Sequence, residues 1–217
     1  MISGRSQEHD DAQGYRGATP MELRRWRQRC LLAAFLATLV GSTAGGAPPA
    51  RNGTATQPLA RFRVGHWIQL EGMAQRTGPA LCYEARSLAG DFLDDDYALK
   101  GLVKTVDVAR QEFSIGACRI RVTRNTTYEN PRGAIRSIMD MRPGMIVDVE
   151  GVLLEDGHLL AAEVDDETDE IAWNPKVRDE IEVIGKIEQV DPRRRVVRVM
   201  GIEFLINART RLLSAID

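Results

Sequence analysis

The sequence predicts an all-β protein built from a small barrel unit used more than once, behind an N-terminal signal or anchor helix. Three observations carry this. The phrase Gly144-Met145-Ile146-Val147-Asp148-Val149-Glu150-Gly151 has a twin at Gly65-His66-Trp67-Ile68-Gln69-Leu70-Glu71-Gly72, and the register holds through Gly78 with Gly157, Leu81 with Leu160 and Glu84 with Glu163. A second pair, Gly101-Leu102-Val103-Lys104-Thr105-Val106-Asp107 and Gly185-Lys186-Ile187-Glu188-Gln189-Val190-Asp191, runs on through Ile120 and Phe204 to Thr126 and Thr210. From Arg61 onward, short apolar alternation is broken by turn residues, as half-buried strands require. Such self-similarity marks one supersecondary unit repeated along a chain.

The N-terminal region comes first. Residues 1–20 are hydrophilic and read as a disordered tail or a start assigned too early. Residues 21–47 read as a signal peptide or membrane anchor: Arg24, Arg25, Arg27 and Arg29 precede an apolar stretch from Cys30 to Val40, followed by small residues suited to cleavage. The stretch is short of the about 20 residues a membrane span needs, and because Pro48 and Pro49 disfavour cutting just before them, cleavage after Ala44 is favoured, with a mature protein beginning near Gly45. Residues 48–60 have linker composition. Export to the periplasm or medium is the expectation; the alternative is an inner-membrane anchor facing the periplasm, with the membrane touched only through an uncleaved N-terminal segment.

The strands follow. Leu102, Lys104 and Val106 alternate with Val103, Thr105 and Asp107, and then Phe113 and Ile115, and Cys118, Ile120 and Val122, keep a period of two. Ile146 to Glu150 and Leu160 to Asp165 alternate likewise. Asp191-Pro192-Arg193-Arg194 and Asp156-Gly157 supply turn chemistry. Between the third and fourth strands Gly133 to Met139 forms one helical turn with Ile135, Ile138 and Met139 inward. The expected core of the unit is Val103, Val106, Phe113, Ile115, Ile120, Val122, Val147, Val149, Leu160, Ala162 and Val164.

Strand, strand, strand, short helix, strand, strand is the order of a five-stranded OB-like Greek-key barrel, which removes its own edges by closing. Gly101-x-Val103, the Asp107 turn, Thr126-x-Tyr128, Gly144-x-x-Val147-x-Val149-x-Gly151, Asp156-Gly157 and Ala162-x-Val164 resemble an exported bacterial domain-of-unknown-function family with tandem OB-like barrels. The resemblance implies fold and compartment, and brings no catalytic residue with it. Residues 98–166 make a whole unit. Residues 61–88 supply only the last two strands of another, and residues 181–217 only the first three. These flanks complement each other as a split barrel; the alternative is a permuted tandem of 61–137 and 141–217.

Chemistry is sparse. The chain has 217 residues with a formal net charge of -2, which argues against a general polyanion binder. Arginine outnumbers lysine by 25 to 4, but the arginines are scattered. The acidic runs Asp91, Asp94, Asp95, Asp96 and Asp165, Asp166, Glu167, Asp169, Glu170 lack the spacing of a calcium loop. His66 and His158 sit at non-equivalent repeat positions with no zinc pattern around them. No metal, no cofactor and no catalytic residue is expected. The expected function is therefore a non-catalytic binding or interaction module of the cell envelope, its partner an envelope protein or an anionic ligand. The rival is an oligonucleotide or anionic-glycan binder using Arg110, Arg119, Arg121 and Arg124, or Arg193, Arg194, Arg195 and Arg198. No specific nucleic acid is expected, because the outward residues Ser114, Arg119 and Arg121 include no aromatic platform. Cys82 and Cys118 are expected as free thiols, Cys118 buried and Cys82, sharing the outward parity of Glu84 and Arg86, more accessible.

Overall fold

The computed structural model describes residues 58–88, 96–129 and 135–213. The signal or anchor segment, the tail before it and most of the linker lie outside them. Among the described residues helix is confined to short 3-10 turns, and no helix is long and apolar enough to cross a membrane.

Thirteen strands are found among the described residues. They are β1 (Trp67–Met73), β2 (Ala80–Ser87), β3 (Tyr97–Asp107), β4 (Glu112–Ile115), β5 (Cys118–Arg121), β6 (Thr127–Glu129), β7 (Ile146–Leu153), β8 (His158–Asp166), β9 (Glu180–Lys186), β10 (Gln189–Asp191), β11 (Val196–Val199), β12 (Ile202–Leu205) and β13 (Arg211–Leu213). Five of them close on themselves. β3 pairs antiparallel with β4 and β7, β4 with β5, and β7 with β8, while β5 and β8 close the barrel in parallel. The long β3 serves three neighbours: its first half pairs with β7 and, at Ala98 to Lys100, with β9, and its second half pairs with β4, with a register shift between Val103 and Thr105. β6 adds to β8 in parallel.

The remaining strands come from both sides of this barrel and pair with each other. β9 pairs with β1, β1 with β2, and β2 in parallel with β12 and β13; β10, β11 and β12 form an antiparallel ladder. β9 also pairs antiparallel with β3 around Leu99 and Val183, joining the flanking strands to the central barrel. Trp67 packs on Tyr97 there, with ring centroids 4.9 Å apart, and the Lys186 ammonium lies 5.2 Å over the indole.

Turn chemistry fixes the hairpins where the sequence placed it. The Asp107 carboxylate accepts from the Arg110 amide at 3.1 Å, and Asp191 accepts from Arg193 and Arg194 at 2.9 and 3.0 Å. Both hairpins then take a left-handed residue that is not glycine, Gln111 (φ 56°) and Arg195 (φ 55°). Gly133 and Ala134 of the expected helical turn lie outside the described residues; within them the turn is Ile138–Asp140, capped by Ser137, whose hydroxyl accepts from Met139 N. This cap turns Met139 outward, to 66% exposed, and the inward place goes to Met141 at 1%. Ile135 and Ile138 are buried as expected.

The core runs through Val103, Phe113, Ile115, Ile120, Val122, Val147, Val149 and Val164, with Val106 half-buried against it. Fully burying side chains of this size contributes about 1.5–3 kcal/mol each. Leu160 and Ala162 do not line it; Leu159 and Ala161 do. The reason is a β-bulge. Glu150 pairs with Glu163 but Gly151 pairs with Ala161, leaving Ala162 extra, and an extra residue inverts the inward parity beyond it. The same bulge recurs in β2, where Glu71 pairs with Glu84 and Gly72 with Cys82. Cys82 is therefore turned inward, at 2% exposed, and the expectation of an accessible thiol is wrong. Glycine is required opposite each bulge: a Cβ on Gly72 would stand 2.8 Å from the Leu81 carbonyl oxygen, and one on Gly151 would collide with that of Leu160.

Candidate functional site

The outer surface of β3, β4 and β5 carries a shallow groove of about 300 Å³, lined by Thr105, Asp107, Arg110, Glu112, Ser114 and Arg119 among others. Pairing dictates its order. Thr105, Ser114, Arg119 and His158 occupy one cross-strand row, and Asp107, Glu112, Arg121 and Leu160 the next. The Thr105 and Ser114 hydroxyls share a hydrogen bond of 2.6 Å. Phe113, on the opposite face of β4, is 2% exposed and belongs to the core.

Charge in the groove is largely matched. The Arg121 guanidinium donates to Glu112 through Nε at 3.2 Å and Nη2 at 3.0 Å, and reaches Asp156 in the β7–β8 turn at 3.4 Å. His158 stands between the same two carboxylates: Nδ1 is 3.0 Å from Asp156 and Nε2 is 3.5 Å from Glu112. The Nδ1 contact is one of proximity, since that nitrogen makes no hydrogen bond of good geometry. The His158 amide, then its imidazole and Arg121, hold the Asp156 carboxyl below the usual carboxylate range. Arg110 lies 3.6 Å from Asp107, both exposed. Exposed pairs of this kind are worth about 0–1 kcal/mol, so they order side chains more than they stabilise the fold.

The eight arginines singled out by the sequence do not form one face. Arg110, Arg119, Arg121 and Arg124 surround the central barrel's β3–β4 turn, β5 and the loop after it, whereas Arg193, Arg194, Arg195 and Arg198 lie on the β10–β11 turn and β11. Arg194 grips Glu203 bidentately at 2.9 and 2.7 Å, which lowers the Glu203 carboxyl and raises the guanidinium, and Arg198 pairs with Glu188 at 3.2 Å. Arg119, Arg124, Arg193 and Arg195 are exposed and have no carboxylate partner among the described residues. Arg119 alone of these lines the groove.

Two further groupings arise from pairing. Parallel β6 and β8 bring carboxylate oxygens of Glu129, Glu163 and Asp165 within 4.8 Å of one another. The sequence places Asp165 in an acidic run and passes over Glu129 and Glu163 as ligands, because no spacing along the chain announces a parallel pair. Three protein ligands fall short of the six to eight oxygens calcium takes. Cys82 and Cys118 are both free and buried, and burial pushes each thiol up to about 12, the opposite of an activated nucleophile. The sequence also missed Thr105, Glu112, Asp156 and His158 as groove neighbours; the Asp156-Gly157-His158 turn was the one local signal.

No curated protein and no solved structure matches the chain. A family model does match, over residues 100–165, from the first half of β3 to the end of β8. That model is the family described as Domain of unknown function (DUF5666), and the match is confined to the strands of the central barrel.

Proposed function

We propose that the protein is a non-catalytic, exported binding or interaction module of the bacterial cell envelope, and that the groove over β3, β4 and β5 is its binding face. The observation that carries this is the coincidence of the groove with the β3–β4 hairpin and β5 in a barrel ordered β3-β4-β5-β8-β7. That order is the one an OB fold uses, and OB folds bind along their second and third strands beside the first and fourth loops. The flanks support a second OB-like barrel split between residues 61–88 and 181–217, since β1 and β2 find their partners in β9, β12 and β13. The fold-level step from barrel to binding is an analogy; the groove's own chemistry narrows the ligand. Paired hydroxyls, balanced ions and one unpaired arginine suit a hydroxylated ligand bearing a single anionic group better than a polyanion.

The test is titration of the isotope-labelled protein with an otherwise neutral oligosaccharide carrying a single uronic acid and with a single-stranded oligonucleotide. Shifts confined to Thr105, Ser114 and Arg119 with the saccharide support the reading. Tighter oligonucleotide binding with a steep salt slope would favour the arginine-face rival, and no shift with either would remove the groove as a glycan or nucleic-acid site. Export is tested separately, by mass spectrometry of the native protein: a mature start near Gly45 agrees, and an intact chain in the cytosol does not.

A further inference from the structure

A second charged feature lies on the outer face of β1 and its neighbours, away from the groove residues. Glu71 stands directly opposite Glu84 on β2 and Glu182 on β9, so three carboxylates occupy consecutive cross-strand positions. Like charges in such positions destabilise a sheet, and Glu84 is only 6% exposed. Cations compensate one end: Arg86 lies 3.3 Å from Glu84, and Arg211 of β13 bonds the same carboxylate. Beyond Glu182 the row continues to Lys100 of β3, but that ammonium is bonded to Glu170 at 2.6 Å. Among the described residues no cation is bonded to Glu71 or Glu182.

What holds those two together is an amide. Gln69, itself 8% exposed, donates its Nε2 to Glu71 at 3.1 Å and to Glu182 at 2.7 Å. Its Oε1 is buried without a donor. The cluster thus has acceptors in excess and lacks protons. Tyr83 of β2 adds one hydroxyl donor to Glu71, and Glu180 of β9 brings a further carboxyl to the same end of the sheet.

We propose that the β1–β2 hairpin docks on β9 with the Glu71 carboxyl protonated, making this junction a proton-sensitive latch between segments that precede and follow the central barrel in the chain. Burial first, and then the charges of Glu182 and Glu84, push the Glu71 carboxyl up to about 7; Glu180 is also raised, chiefly by its own burial. An unfolded glutamate titrates near about 4.3. The docked state therefore binds a proton that the released hairpin gives up, and stability is highest below the unfolded value. It falls as pH rises from about 4.5 to about 7 and levels off beyond, because above 7 both states are ionised. One linked proton changes the opening constant about tenfold per pH unit within that window.

The experiment is hydrogen exchange of the full chain from pH 5 to 8, corrected for intrinsic exchange, beside Glu71→Gln. Opening of β1 and β9 amides should rise steeply between pH 5 and 7 in the wild type and much less steeply in Glu71→Gln, with β4 and β5 unaffected in both. Carboxyl-carbon NMR of the wild type should place the Glu71 midpoint near 7, which keeps the test valid if the variant does not fold. A midpoint in the ordinary glutamate range, an equal slope in both proteins, or an equal change in β4 and β5 would each overturn the latch.

Discussion

Replacing Leu159 and Leu160 one at a time by alanine tests the β8 bulge at its most sensitive point. Leu159 is 0% exposed and packs in the core, whereas Leu160 sits half-buried on the outer side. A fully buried leucine truncated to alanine loses about 2–5 kcal/mol, from transfer and from the cavity left behind. For a folded unit of this size each kcal/mol lowers Tm by about 2–4 °C, so Leu159→Ala should melt roughly 6–12 °C below wild type if the loss is about 3 kcal/mol. Leu160→Ala keeps its neighbours' contacts and should cost about 1 kcal/mol or less. Thermal unfolding followed by circular dichroism at neutral pH measures both. If Leu160→Ala proves the more damaging of the two, strict alternation through β8 holds, the bulge is absent, and the inward turn of Cys82 explained by the matching bulge loses its basis.

Two further outcomes follow from burial. Val149→Asp places a carboxylate at a position 0% exposed, with a cost of several kcal/mol; a near wild-type melting temperature would refute the strand assignment of β7. Cys82 and Cys118, both sealed and both pushed up to about 12, should resist thiol reagents at pH 7 in the native protein and give two free thiols after unfolding; rapid native labelling of Cys82 would contradict its burial.

Much of the barrel was legible because its signals are local. Gly144 and Gly65 hold positive φ in the turns before β7 and β1, Asp107 and Asp191 cap the β3–β4 and β10–β11 hairpins, and the apolar period of β4 and β5 has no interruption. The bulges were not legible. Ala162 and Tyr83 enter their strands with no residue type that betrays an extra position, and the glycines that accommodate them, Gly151 and Gly72, sit on the partner strands. Sites fared worse for the same reason. The eight arginines were chosen by spacing along the chain, whereas Arg121 gains its meaning from Glu112 and Asp156 across strands, and the Glu84, Glu71, Glu182 row is assembled from three strands. Cross-strand chemistry becomes visible only once pairing is known.

The division of labour between the central barrel and its flanks is open to a single measurement, the folding of two fragments compared by circular dichroism and amide dispersion. A fragment of residues 96–166 contains every strand of the central barrel. It should fold alone with a cooperative melt. A fragment of residues 58–137 holds β1 and β2 without β9, β12 and β13, the strands they pair with. It should remain unfolded. A cooperative melt from the second fragment and none from the first would contradict the pairing and establish the permuted tandem in its place.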